Sequence, residues 1–119
     1  MRKLYNRPLA MASGTVTGDA FDLANLETVE IFTRSGSAEG GSAVVTAVAN
    51  LDVADGQGNW VSAGGGTMPT LGTNSSGAKA FARASNAGAV TPSPLGAQGR
   101  VRVVLAGGSM ELGINVLGF

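Results

Sequence analysis

Apolar and polar residues alternate with a period of two along much of this chain, and the alternation is cleanest towards its C-terminal end. Met110, Leu112, Ile114 and Val116 fall on one face, against Glu111, Gly113 and Asn115 on the other, which is the spacing of a half-buried strand. Just upstream, Val101 and Val103 alternate with Arg100 and Arg102, and the apolar pair Val104-Leu105 blurs the end of that run. Between the two runs, Ala106-Gly107-Gly108-Ser109 reads as a tight turn, because glycine takes the positive φ that hairpin turns require. Arg100 to Phe119 is therefore expected to be a hairpin. Two strands do not hold together alone in water, so upstream strands must complete the sheet.

Those strands are readable in order. Thr15-Val16-Thr17 is a short one, Gly18-Asp19 turns the chain, and Phe21, Leu23 and Leu26 are early core candidates. Thr28 to Arg34 is rich in β-branched residues, with Val29 and Ile31 on one side and Glu30, Phe32 and Arg34 on the other. Phe32 then packs on a partner or a second layer, or is ordinary core. Ser35 to Ser42 reads as a Gly/Ser loop. Ala43 to Val53 is a longer strand, apolar on both faces and so suited to a central position; a helix over Ala43 to Ala49 is its rival, disfavoured by the β-branched run. Asp55-Gly56 is a strong turn pair, after which Trp60 enters the core. Ser62 to Gly77 is a long Gly/Ser/Thr loop with Met68 and Leu71 as its contact points, to a partner or to the core. Ala78 to Ser85 alternates strictly, with alanines on one face and Lys79, Phe81 and Arg83 on the other; helical spacing would scatter the latter three without an apolar stripe. Ser85 to Gly99, carrying Pro92 and Pro94, is a loop long enough to cross between two sheets.

Length and composition refine this picture. The chain has 119 residues, enough for one core and too few for two. Residues 1–13 form an extended arm and 14–119 a single domain. Hydrophobic residues are 44% of the total, yet eighteen are alanine and only 5% of residues are aromatic, so much of that fraction buries little area. Nineteen glycines without a triplet period exclude collagen. Eight basic and eight acidic residues cancel, and only 13% of residues are charged. Little repulsion keeps copies apart, so much of the surface is expected to lie against protein. The zero total also hides an asymmetry: Asp19 to Asp55 holds seven acids and one base, Arg34, while Lys79 to Arg102 holds four bases and no acid. Identical copies could meet head to tail through these halves, or one copy could pair them internally.

Candidate chemistry is sparse. Cysteine and histidine are absent, which removes disulfides, thiol catalysis, the usual proton shuttle and the commonest metal ligand. Asp52 and Asp55 are the nearest approach to a glycosidase pair, but a turn defines no separation between them. Lys79 and Ser85 sit in no catalytic motif. The run Asp52 to Asn59 lacks the oxygen ladder of a calcium loop, because Leu51 and Val53 interrupt it. Gly64-Gly65-Gly66-Thr67 lacks the lysine of a phosphate loop. No enzyme, cofactor or metal is expected. No apolar run reaches the roughly 18 to 20 residues of a membrane helix, and Asn6, Arg7 and Pro8 interrupt any signal-peptide centre at the start, so synthesis in the cytoplasm without membrane association is expected. Arg2, Lys3, Tyr5, Arg7 and Leu9 of the arm, together with Met68, Leu71, Arg83 and Arg102, are candidate contacts to a protein partner. The arm is too weakly basic to bind nucleic acid directly.

The sequence Thr15-Val16-Thr17, Phe21-Asp22-Leu23, Thr28-Val29-Glu30-Ile31, then Asp55-Gly56-Gln57-Gly58-Asn59-Trp60 and Arg100-Val101-Arg102-Val103-Val104 resembles the small jelly-roll or related β-sandwich modules of tailed-bacteriophage virions. The resemblance spans roughly residues 15 to 119. It implies an all-β antiparallel sandwich and a structural role: a decoration or cement protein on the outer surface of a capsid, binding the major capsid protein or another virion protein as a homo-oligomer, with trimers at lattice symmetry axes as one form. It carries no catalytic site. One alternative is a receptor- or carbohydrate-binding module of a tail, spike or fibre, with Trp60 and Phe81 stacking on sugar and Asp55 and Asn59 hydrogen-bonding beside them. Another is a small shell- or tube-forming subunit.

Overall fold

The computed structural model describes residues 1–11, 14–40, 44–63, 68–83 and 97–119, with the backbone alone at 8–11. Their secondary structure is entirely β: β1 (Arg2–Met11), β2 (Gly14–Thr17), β3 (Phe21–Asp22), β4 (Thr28–Glu39), β5 (Thr46–Ala54), β6 (Trp60–Ser62), β7 (Ser76–Ala82), β8 (Gln98–Ala106) and β9 (Ser109–Gly118). They form two sheets. The first has the order β1-β9-β4-β7; the second has the order β2-β8-β5-β6, with β3 also pairing with β8. Every pairing is antiparallel.

The pairs are nested. β1 pairs with β9, β2 with β8, β4 with β7, and β5 with β6. A long hairpin rolled into two facing layers gives this order, which is that of a jelly roll. The expected antiparallel sandwich is thus the observed fold.

Its core follows from the alternation. Val101, Val103 and Leu105 of β8 are buried facing Met110, Leu112, Ile114 and Val116 of β9 and Val29 and Ile31 of β4. Leu23 and Leu26, which lie between β3 and β4, are buried at one end, as the early apolar positions predict. Each large aliphatic side chain removed from water contributes about 1.5–3 kcal/mol. Ala47 and Ala49 of β5 are also buried, and there the small side chain lets the layers approach. Ser35, buried in β4, accepts the Ser75 N–H at 2.9 Å and donates to the Gly72 carbonyl. Together with the backbone pairing of Leu71 to Ala47, this fastens the glycine-rich segment before β7 to both sheets.

Four expectations are corrected. Arg100 to Phe119 is not a hairpin: β8 belongs to the second sheet and β9 to the first, so Gly107 and Gly108 carry the chain from one layer to the other. Gly107 has φ +94°, and a Cβ there would collide with the Val44 carbonyl oxygen. Alternation could not reveal this, since residues sharing one face of a hairpin have the same parity as residues that face each other across a core. Ser35 to Ser42 is not a loop as far as Glu39, because β4 continues through a bulge between Ser35 and Ala38; positions 41–43 lie outside the described residues. The N-terminal stretch is extended as expected, but it is the edge strand β1 and not a projecting arm. Trp60 is half-buried on β6 and is not part of the core.

Ala78 to Ala82 is strand, with the alanines outward and Phe81 inward. β7 belongs to the first sheet and β8 to the second; most of the loop expected over Ser85 to Gly99 falls in residues 84–96, which lie outside those described. So do Gly64 to Thr67 and Ser85. Among the described residues no helix is long and apolar enough to cross a membrane.

Candidate functional site

Each sheet has one face in the core and one outside, and the two outer faces differ in chemistry. On the first sheet, register aligns Asn6, Asn115, Phe32 and Ala78 in one row across β1, β9, β4 and β7. Gly113, Arg34 and Ser76 form the row on one side, and Leu117, Glu30 and Ala80 the row on the other. Phe32 is 40% exposed although Ile31 and Thr33 beside it are buried, because a strand sends successive side chains to opposite faces. Gly113 supplies no side chain to its row, and a hollow of about 750 Å³ opens there, with Phe32, Arg34, Asn6 and Asn115 among its walls. A smaller hollow of about 180 Å³ lies towards Glu30, Ala78 and Ala80. Phe32 stands between them.

Polar groups on this face are left unmatched. The ion pairs among the described residues involve neither Glu30 nor Arg34. Asn115 Oδ1 is buried without a hydrogen-bond partner, a deficit that costs about 1–3 kcal/mol.

On the outer face of the second sheet the charges pair within one copy, although Arg100 Nε is buried without a hydrogen-bond partner. The Asp52 side chain is only 5% exposed and receives Arg102 Nε at 3.1 Å from Oδ2 and 3.3 Å from Oδ1. Arg100 Nε lies 3.6 Å from the same carboxylate, and the Arg100 guanidinium stands over the Trp60 ring at 4.4 Å from its centroid, where the ring's electron-rich face attracts a cation. Arg102 Nη2 donates to Ser62 Oγ at 3.2 Å. One acid and two bases, drawn from opposite halves of the sequence, are thus paired within one copy.

The residues proposed as partner contacts are largely engaged inside the chain. Met68 and Leu71 are 2% and 3% exposed, so they anchor their segment to the core and are withdrawn as surface contacts. Arg83 donates from Nε to the Leu26 carbonyl at 2.8 Å and from Nη2 to that of Leu23 at 2.9 Å. Arg2 donates to the Asp22 carbonyl at 3.0 Å, and Arg7 pairs with Asp19 at 3.4 Å on the exposed edge. Tyr5 packs on the core and against Gly18. Lys3 is exposed, and Leu9 pairs through its backbone with Leu112.

The residues considered for sugar binding are not assembled. Phe81 is 2% exposed in the first sheet while Trp60 is in the second, so the two form no common platform; Phe81 belongs to the core. Asp55 Oδ1 accepts the backbone N–H of Gln57 at 2.7 Å and of Asn59 at 3.1 Å. These donors, Gln57 first, hold the Asp55 carboxyl below its ordinary value of 3.8. Asp52 and Asp55 therefore serve an ion cluster and a turn, not a common catalytic site. Among the described residues no group of three or more His, Cys, Asp or Glu side chains could hold a metal ion.

Phe32 was legible as lying on the face opposite Val29 and Ile31, and it is exposed there. The hollow beside it was not, because it depends on Gly113 lying next to Arg34 across the sheet, a register that no local pattern carries. In comparisons with known proteins, no family model and no curated protein matches this chain.

Proposed function

We propose that this chain is a structural protein that works by contact within a repeating protein assembly, of the virion decoration or cement type. The observation that carries the reading is the outer face of the first sheet, where a 40%-exposed Phe32 stands between two hollows. Exposed alanines at 78, 80 and 82 surround it, with Glu30 and Arg34, which have no ion-pair partner among the described residues. An exposed aromatic in a weakly charged surround is the composition of a contact centre. Jelly rolls occur both in capsid proteins and in lectins, so the fold alone favours neither; the separation of Trp60 from Phe81 weighs against the sugar-binding alternative. On a lattice, many copies and many weak contacts act together, because each later contact forms at high effective concentration.

The test is localisation. An antibody against the chain, applied to tailed-phage particles from its source, is expected to label the capsid exterior at regular intervals over a separate coat protein. Label confined to the tail would replace this reading with the receptor-binding one. A continuous shell made of this chain alone would make it the coat, and unlabelled particles would overturn a virion role.

A further inference from the structure

We infer that the outer face of the first sheet is a two-fold interface between two copies of this chain, centred on Phe32. The inference rests on reading this face as a protein contact, and it names the partner.

The argument comes from β4. Its outward side chains are Glu30, Phe32 and Arg34, so an acid and a base stand at equal distances on either side of an aromatic. At about 3.3 Å per residue the two charges are about 13 Å apart. Now lay a second copy face to face on the first. With the two β4 strands parallel, Glu30 meets Glu30 and Arg34 meets Arg34, which repel. With a two-fold axis lying in the plane between the two faces, at right angles to β4 and level with Phe32, each Glu30 meets the other copy's Arg34, and the attractive contact is made twice. Self-complementarity under a two-fold axis is the requirement for a closed dimer. The same rotation brings the two Phe32 side chains together at the axis, beside the hollows that flank each of them. Neither charge has an ion-pair partner among the described residues to compete with this arrangement.

A second observation bears on the route of association. Strand-to-strand joining at the rim of the sheet is the usual alternative, and both rims are guarded. β7 carries Lys79 in register with Ile31, on the interior-facing side, and β1 carries Arg7 in register with Ile114, likewise on that side, with Pro8 next to it. Inward-pointing charges and proline on edge strands block pairing with another chain. Within the first sheet, this leaves the broad face as the surface that can take a second copy.

The test is sedimentation velocity on the full chain across the micromolar range, with circular dichroism to confirm that each variant is folded. The wild type is expected to dimerise. Glu30→Arg and Arg34→Glu should each weaken the dimer about tenfold or more, since each reversal sets like charges together twice. The double variant Glu30→Arg/Arg34→Glu should return to within about threefold of wild type, because the pairs re-form with exchanged sign. A chain that stays monomeric throughout overturns the inference, as does a dimer that ignores the single reversals or a double variant no better than either single. A monomeric wild type that still labels capsids would overturn the dimer and keep the virion reading; a charge-rescued dimer with unlabelled particles would do the reverse.

Discussion

The two outer faces of the sandwich dispose of their charges in different ways. On the second sheet Asp52 holds Arg102 and Arg100, and Arg100 caps Trp60, so one carboxylate is shared by two guanidinium groups of the same copy. On the first sheet Glu30 and Arg34 stand apart with Phe32 between them, and neither has an ion-pair partner among the described residues. Charge content therefore does not tell a contact face from a solvated one. What does is whether the pairing closes within one molecule: a face that satisfies itself gains little from a partner, while one whose opposite charges are held out of reach on a rigid strand gains both pairs on association.

The comparison can be broken or sharpened by substitution. The largest effect is expected across the first sheet, between its two phenylalanines, Phe81 and Phe32. Phe81→Ala should destabilise folding by about 3–5 kcal/mol, because it opens a cavity in the core beneath β7. Urea denaturation measures it, and a loss under about 1 kcal/mol would mean that Phe81 is not the core residue its 2% exposure makes it. Asp52→Ala should follow at about 2 kcal/mol: it leaves two guanidinium groups facing each other, but each remains about a quarter to a third exposed and water moderates the cost. An unchanged urea midpoint would show that the second face does not depend on its own ion cluster. Phe32→Ala should shift folding stability by no more than about 0.5 kcal/mol, as surface changes do, while abolishing association in sedimentation. Loss of folding in step with loss of association would erase the distinction between the faces.

The smallest effect concerns Asp55, on the turn between β5 and β6. Its folded carboxyl titrates below 3.8, so its support of the turn is complete above that pH and is lost as pH falls through the lower folded value. An NMR titration should show the Gln57 and Asn59 amide signals moving only below pH 3.8 in the wild type, and not in this way in Asp55→Ala.

Much of the layout is legible in the sequence because period-two patterning reports which residues are inside. Val29, Ile31, Leu51, Val101, Val103 and the even residues of β9 are buried as their alternation requires. Patterning does not report which strand lies beside which. Met110 to Val116 looks the same whether it folds back on β8 or crosses to face it, and only long-range pairing decides between the two. Trp60 misled for a related reason: its size suggests burial, but its position opposite Ala54 on a three-residue edge strand gives it Arg100 for cover in place of a core. Ser35 to Glu39 looked like a loop from its Gly and Ser content, and is strand because Ser109 and Met110 of β9 and the 72–75 segment supply its backbone partners.

The nesting of β1 against β9 has a consequence for how the molecule comes into being. Of the described strands β1 is made before the others, and within its sheet it pairs only with β9, which is made after them. Until then it is an unclaimed ribbon, and the first layer lacks the strand that joins β1 to β4. Closure across nearly the whole chain makes for slow folding, in milliseconds to seconds, as in other proteins dominated by distant pairings. During that interval the cations and proline of β1 would keep a nascent copy from capturing its neighbour.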